Sequence, residues 1–206
     1  MALTTFTELK ASVADWLNRT DLTSAIPDFI TLAEAEFQRS IRHRKMITRS
    51  DVTIDSRYSD PPADWMQTVS LVMNTNPVTP LIYVTSEWLN KMRNDSGATG
   101  TPEYYTHIGD EIEAYPAPDS SSYTAELVYY AKIPVLSSSN ASNWLLALSP
   151  DIYLYGTLIQ SAPYLRDDER LVTWGAIYNK LVEDMNVSDQ RTRGQTSVTM
   201  RTRALQ

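Results

Sequence analysis

The spacing of apolar residues changes twice along the chain, and this change limits the folds that the sequence can adopt. From Phe6 to Ile41 apolar residues recur at steps of three and four, the period of amphipathic helices. Between about Ile47 and Ala131 they mostly alternate with polar residues, as in half-buried strands. The helical period returns after Trp144. The sequence therefore predicts two helices, a β-rich middle and two further helices, which is an α+β fold.

Local signals predict where the first two helices begin and end. Thr5 and Thr7 are candidate caps for a first helix that ends near Asn18, because threonine hydroxyls accept hydrogen bonds from free backbone N–H groups. Pro27 belongs in the first turn of the second helix, where its missing N–H costs nothing. We expect the second helix to end near Ile41.

The β-rich middle is predicted to contain short strands around Val52, residues 69–73 and residues 81–84, with a short helix at 87–93. The turn Gly109-Asp110 predicts a hairpin of residues 104–108 and 111–115, since this dipeptide suits tight turns. A further strand is predicted at 123–131 from its alternation of apolar and polar residues.

After the strands, Ser149-Pro150-Asp151 predicts a helix start, and Pro163 is expected to end or kink that helix. A last helix is predicted from about Arg166, with an apolar seam at steps of three and four. The seam residues are Leu171, Trp174, Tyr178, Leu181 and Met185. Beyond Asn186 the sequence is polar, basic and without pattern, which predicts an extended tail.

These signals divide the chain into four predicted segments. They are the N-terminal helices of a bundle (1–46), an inserted antiparallel β module (47–136), the C-terminal helices of the bundle (137–186) and an extended basic tail (187–206). The expected fold is therefore a helical bundle of two N-terminal and two C-terminal helices, interrupted by a β module and followed by a tail.

Composition excludes several classes of protein. The 206 residues include no cysteine, which rules out disulfides, thiolate metal sites and thiol catalysis. The sequence shows neither an export signal nor an apolar run long enough to cross a membrane, so we expect a soluble intracellular protein with no membrane contact. The net charge of -7 argues against the whole chain binding a polyanion.

No group of residues predicts catalysis, a metal site or a cofactor. The two histidines, His43 and His107, are not at metal-ligand spacing, and we interpret them as surface or structural residues. The acidic run 167–169 lies where a helix is predicted to begin, and acids there complement the helix dipole. The protein is therefore expected not to be an enzyme.

A cluster of cations leaves two interpretations open. Its members are Arg39, Arg42, Arg44, Lys45 and Arg49. They fit a solvated helix end, where cations are favoured by the dipole. They also fit a surface in a channel or interface that touches the phosphates of passing DNA.

The aromatic residues indicate interfaces. Each of the pairs Tyr104-Tyr105 and Tyr129-Tyr130 directs one ring to either face of a sheet. Tyrosine is enriched in protein interfaces. These four residues are therefore candidates for a subunit interface, and rings exposed on a single domain are the alternative.

Motifs spread over nearly the whole chain carry a resemblance to a known family. They are Met1-Ala2-Leu3-Thr4-Thr5-Phe6-Thr7-Glu8-Leu9-Lys10, Trp16-Leu17-Asn18-Arg19, Ile26-Pro27-Asp28-Phe29-Ile30, Gly109-Asp110-Glu111-Ile112, Pro116-Ala117-Pro118-Asp119, Leu127-Val128-Tyr129-Tyr130-Ala131-Lys132-Ile133-Pro134, Asn143-Trp144-Leu145-Leu146, Pro150-Asp151-Ile152-Tyr153-Leu154-Tyr155-Gly156 and Ala162-Pro163-Tyr164-Leu165-Arg166-Asp167-Asp168-Glu169-Arg170. In their order and spacing, the chain resembles the phage adaptor, or head-to-tail connector, family.

The resemblance implies a structural protein of the virion, located at the head–tail junction and in the host cytoplasm during assembly. It implies a homo-oligomeric ring, expected to be a dodecamer, that joins the portal protein to a tail or nozzle protein. We expect the basic tail to dock onto the portal through its arginines. Those residues are Arg191, Arg193, Arg201 and Arg203.

Two other function classes remain as alternatives. A DNA-contacting accessory protein of the packaging channel would rest on the cation cluster. A tail-associated hydrolase has weaker support, because no nucleophile, base and orienting group stand out together.

Overall fold

The computed structural model describes residues 3–119, 122–165 and 168–194. The chain divides into two compact units, one formed by Met1–Arg44 with Ile133–Gln206 and the other by Lys45–Lys132. We call these the helical unit and the β unit. Helices and strands are both abundant, which confirms the predicted α+β class.

In chain order the elements are α1 (Phe6–Leu17), α2 (Ile26–Ser40), a 3-10 helix (Arg44–Met46), β1 (Ile47–Ile54), β2 (Tyr58–Ser59), β3 (Trp65–Met73), β4 (Thr79–Pro80), β5 (Ile82–Tyr83), α3 (Ser86–Asp95), β6 (Tyr104–Ile108), β7 (Glu111–Tyr115), β8 (Tyr123–Ala131), α4 (Trp144–Leu148), α5 (Pro150–Leu165) and α6 (Asp168–Gly194).

The first helix starts with a reciprocal cap. Thr5 Oγ1 accepts a hydrogen bond from the backbone N–H of Glu8 at 3.3 Å, and Glu8 Oε2 accepts one from the N–H of Thr5 at 3.0 Å. This capping box satisfies backbone donors that the helix leaves free. Thr5 is therefore the cap residue of the two that the sequence offered.

The helical unit is held together by close contact of α2 with α5. The ring of Phe37 on α2 packs edge-on against Tyr153 on α5 at 4.9 Å, and both residues are fully buried. Gly156 makes this approach possible, because a Cβ there would lie 2.6 Å from the Phe37 ring. Large side chains of both helices can therefore interlock over a single glycine.

We expect Gly156→Ala to destabilise the helical unit by about 1–3 kcal/mol, since the added methyl must push the Phe37 ring out of its packed position. Thermal or urea unfolding of the full chain measures the effect. Gly175→Ala on α6 is the matched control, because a Cβ there meets nothing within 4 Å and alanine favours a helix. Equal destabilisation by both substitutions would contradict the packing argument.

The β unit consists of two four-stranded sheets, ordered β1-β8-β3-β4 and β2-β7-β6-β5, that share one buried core. The hairpin of β6 and β7 has the predicted register, with Ile108 opposite Glu111 and Gly109 at a φ of 61° in the turn. The short pairing of β5 with β6 is parallel, so the prediction of a wholly antiparallel module is wrong at this edge.

A buried carboxylate ties helix α3 to the second sheet. Glu113 on β7 is 1% exposed and accepts hydrogen bonds from Arg57 Nε at 2.7 Å and from Arg93 Nη2 on α3. The hydroxyl of Tyr115 donates to the carbonyl oxygens of Met92 and Ser96 near the end of α3. Two arginines thus compensate the charge of a carboxylate that would otherwise be costly to bury.

The predicted C-terminal part needs correction. Helix α6 continues to Gly194, so the extended tail does not begin at residue 187; residues 195–206 lie outside the described residues. The buried residues Trp174, Tyr178 and Val182 follow one another at steps of four, and Val182 was not in the predicted seam. Pro163 lies inside α5, which continues to Leu165.

Candidate interaction surfaces

The segment that follows the β unit is held by two polar side chains of α2. Gln38 Nε2 donates to the carbonyl oxygen of Ile133 at 2.7 Å, and Gln38 Oε1 accepts from the N–H of Ile133 at 3.0 Å. Glu34 Oε1 accepts from the N–H of Leu136 at 2.8 Å. These side chains satisfy backbone groups that would otherwise need a neighbouring strand. We call this set of contacts the α2 clamp.

Glu34 also belongs to a buried polar network. The Tyr153 hydroxyl donates to Glu34 Oε1 at 3.0 Å, and Asn143 Nδ2 donates to the Tyr153 oxygen at 2.6 Å. Asn143 Oδ1 caps α4 by accepting from the N–H of Leu146 at 2.9 Å. Burial raises the pKa of Glu34 above its ordinary value of 4.5, although the two hydrogen bonds that it accepts act in the opposite direction. Burial likewise raises the pKa of Tyr153.

The raised pKa of Glu34 predicts a pH dependence of stability. The folded state holds the Glu34 proton more tightly than the unfolded state, so stability falls as pH rises from about 4.5 through the raised pKa. Glu34→Gln keeps an oxygen acceptor for Leu136 and Tyr153 and removes the charge. We therefore expect the free energy of unfolding of this variant to fall less between acid and neutral pH than that of the wild type. Urea unfolding at a series of pH values measures the difference.

Glu36→Gln serves as the control for Glu34→Gln, because Glu36 is partly exposed and pairs with Arg39 at the surface. This change leaves the buried network around Glu34 intact, so the decline in stability assigned to Glu34 should persist in the Glu36→Gln protein. If the free energy of unfolding of Glu34→Gln ran parallel to that of the wild type over the whole pH range, the pKa of Glu34 would be the same in the folded and unfolded states, and the prediction would be wrong.

The chain that leaves α2 is held by α6. Asn186 Nδ2 donates to the carbonyl oxygen of Ser40 at 3.0 Å, and Asn186 Oδ1 accepts from the N–H of Arg42 at 3.1 Å. Asp189 Oδ1 accepts from the N–H of Arg44 at 3.1 Å and lies 3.7 Å from His43 Nε2. Asn186 and Asp189 were not predicted to be structural residues, because they follow Met185, the last apolar residue of the predicted seam.

The predicted cation cluster is divided between the two units. In the helical unit, Arg39 pairs with Glu36 at 2.6 Å, and Arg44 Nε lies 3.9 Å from Asp189 Oδ1. Arg42 Nη1 donates to the carbonyl oxygens of Gln38 and Ile41, so it closes the end of α2. The contacts of Arg42 are those of a helix end, whereas Arg39 and Arg44 form side-chain pairs with carboxylates.

In the β unit, Lys45 is exposed, and Arg49 on β1 is 77% exposed at 3.6 Å from Glu126. These two residues belong to a different compact unit from the three arginines.

The predicted tail arginines have different positions. Arg191 is exposed in the last turns of α6, and Arg193 lies on the same helix. Arg201 and Arg203 lie outside the described residues. A role of these four residues in binding another protein stays a prediction.

The four tyrosines predicted at a subunit interface fall into two classes. Tyr105 and Tyr129 are core residues, 6% and 4% exposed, so the structure contradicts an exposed role for these two rings. The hydroxyl of Tyr129 donates to Asp64 Oδ1 at 2.9 Å, and burial followed by this bond raises its pKa to about 12. Tyr104 and Tyr130 are half-buried and remain candidates. Tyr104 packs against Trp88 of α3 at 4.8 Å.

An aromatic depression lies on one side of the β unit, and the sequence did not predict it. His107 is surrounded by the rings of Trp65 at 4.8 Å, Tyr105 at 5.6 Å and Tyr83 at 6.1 Å. Residues 65–69 of β3 complete its lining. Burial lowers the pKa of His107, and neither of its ring nitrogens has a hydrogen-bond partner among the described residues. We call this feature the His107 groove.

Residues that could hold a metal ion are not grouped anywhere in the described ranges 3–119, 122–165 and 168–194. None of the helices within those ranges is long and apolar enough to span a membrane.

Comparison with known proteins identifies a family. The family model described as SU10 adaptor protein matches residues 4–203. No curated protein matches the chain.

Proposed function

The chain belongs to the SU10 adaptor protein family, a phage head–tail adaptor family, and we propose that it is the structural subunit of a homo-oligomeric ring that joins the portal protein to the tail or nozzle. The observation that carries the proposal is the family match over residues 4–203. By analogy with adaptors of this kind, the ring is a dodecamer. We further propose that the helices before and after the β unit form one bundle into which the β unit is inserted.

Two features of the structure support a structural role. The chain on either side of the β unit is fixed to helices of the helical unit, by the α2 clamp at residues 133–136 and by Asn186 and Asp189 at residues 40–44. The polar network around Glu34 and Tyr153 is buried and hydrogen-bonded, so it acts as a fixed support. A subunit that transmits load between two protein rings needs such rigidity.

We propose that the C-terminal arginines Arg191, Arg193, Arg201 and Arg203 contact the portal. Arg191 is exposed near the C-terminal end of α6. Arg201 and Arg203 follow in the sequence, and residues 194–206 include no acidic residue. Arginine binds carboxylates and carbonyl oxygens through several N–H donors at once. The counterpart on the portal is therefore expected to be acidic or polar.

The portal contact is tested with Arg201→Ala/Arg203→Ala in the full chain, mixed with its portal and followed by native mass spectrometry and electron microscopy. We expect at least about a tenfold weaker association, since each charge-assisted contact contributes roughly 1.5–3 kcal/mol. Thr199→Ala/Thr202→Ala is the matched control within the same segment and should associate normally. Unchanged portal binding by the arginine variant would refute the contact.

Contact with DNA in the channel is a second candidate role, favoured by the high exposure of Arg39 and Arg49, 68% and 77%. Arg39→Gln/Arg49→Gln should then lower the slope of log affinity against log salt by about 1 for each phosphate that the variant no longer binds, measured by filter binding with duplex DNA. Arg19→Gln is the control, because Arg19 pairs with Asp21 much as Arg39 pairs with Glu36. An identical salt slope in all three proteins would exclude this role.

A further inference from the structure

We propose that the His107 groove binds an extended, cationic segment of a partner protein in the head–tail assembly, and that this segment pairs as an added strand with the free edge of β3. The inference rests on the proposed function, because it takes the partner from that assembly. The residues involved belong to the β unit alone.

The backbone on both sides of the groove has unused hydrogen-bonding groups. On the side away from β8, β3 pairs with β4 only at Val72 and Met73, and within the described chain no strand pairs with residues 65–70 on that side. Opposite, β5 pairs with β6 only at Tyr104 and Tyr105, so none of the described strands pairs with residues 106–108 of β6 on that edge. Such edges are templates for an incoming extended chain.

The side chains along these edges are apolar and exposed. Val69 of β3 is 50% exposed and Tyr83 of β5 is 58% exposed, and both line the groove beside the partly buried Trp65. Single exposed apolar residues are ordinary, but a group on adjacent free edges indicates a binding surface. In strand addition, such residues bind alternate side chains of the incoming segment while its backbone supplies the hydrogen bonds.

His107 marks the groove as incomplete by itself. Both of its ring nitrogens are buried, and both lack a hydrogen-bond partner within the part of the chain that the structure describes. Leaving such groups unsatisfied is unfavourable, and a polar group brought by a partner relieves this deficit after a small movement of the exposed Tyr83 ring. The groove therefore offers a polar recognition point among its aromatic rings.

The charge of the β unit determines the sign of the partner. Between Lys45 and Lys132 the sequence has six Lys and Arg residues and twelve Asp and Glu residues, a formal net charge of 6 − 12 = −6. Trp65, at one end of the groove, also lines a second depression together with Asp60, Asp110 and Lys132. Carboxylates beside aromatic faces favour arginine and lysine side chains, because these cations pair with the carboxylates and stack on the aromatic rings.

The occupant is a segment of another protein rather than this chain's own residues 195–206. Those residues carry Arg201 and Arg203, which under the proposed function contact the portal. A segment from a further partner would let one subunit hold two proteins at once, through its C-terminal residues and through its β unit.

The experiment uses histidine-selective isotope labelling of the full chain, whose two histidines give two sets of ring signals in NMR spectra. The probe is a short synthetic peptide built from repeats of Arg-Val-Thr-Val. Saturable shifts of the His107 signals, with unchanged signals from His43 in the helical unit, are the expected result. The corresponding Glu-Val-Thr-Val peptide should not bind, and neither should an Arg-Val-Thr-Val peptide with N-methylated backbone, which lacks the donors for strand pairing.

Matched variants test the site itself. Tyr83→Ala should weaken binding of the cationic peptide about tenfold, whereas Tyr164→Ala, which truncates a tyrosine of similar exposure in the helical unit, should not. Asp60→Asn/Asp110→Asn should weaken binding and reduce its salt dependence. Asp15→Asn/Asp184→Asn makes the same change of net charge on exposed helical positions and should leave binding unchanged.

Three outcomes would overturn the proposal. They are no shift of His107, equal binding of the acidic or N-methylated peptide, and tighter binding of a peptide of residues 195–206 than of the Arg-Val-Thr-Val probe, which would assign the groove to a second copy. The Tyr83→Ala protein should still bind the portal while it loses affinity for the peptide, so the two proposals can be tested separately. If ring formation and portal binding fail in the wild type, the adaptor role fails, whereas loss of peptide binding alone refutes only the groove.

Discussion

The hydrogen bonds between the segment 133–136 and the side chains of Glu34 and Gln38 fix the point at which the chain re-enters the helical unit, and the start of the C-terminal helices depends on them. A chain that returns from a strand-rich region to a helical one carries backbone groups with no neighbouring strand, and burial of these groups without partners would be strongly unfavourable. Here two side chains of one helix act as that missing strand. Asn143 then connects the clamp to the start of α4, so the position of α2 also sets where the C-terminal helices begin.

The network places a carboxylate where the chain could have used an apolar residue. Burying Glu34 is unfavourable, as its raised pKa shows, but its oxygen meets both a backbone N–H and the Tyr153 hydroxyl. An apolar residue at this position would leave both donors unsatisfied. Since hydrogen bonds are directional, the network selects one relative position of α2, α5 and the returning chain, whereas apolar packing alone would permit several.

The sequence predicted well those parts in which a local pattern decides the structure. The capping box at Thr5, the hairpin around Gly109-Asp110 and strand β8 depend on nearby residues, and all three are present. It failed where distant residues decide. Residues 187–194 have no apolar period, yet Asp189 is buried because its partners are backbone groups near residue 44. Tyr105 and Tyr129 are buried because two sheets cover them. The His107 groove lies where the described strands leave the edges of β3 and β6 unpaired, and a local sequence pattern cannot predict which strands will pair.

The anchoring of the chain on both sides of the β unit has an evolutionary consequence. Residues 40–44 and 133–136 are bound by side chains of α6 and α2, so both of these segments, which flank the β unit in the sequence, are held by hydrogen bonds inside the helical unit. A different insert could be spliced between these ends while the helices retain their packing. Natural variation in the strand-rich part would then be free to follow the proteins that it meets, and the helical frame would change far more slowly.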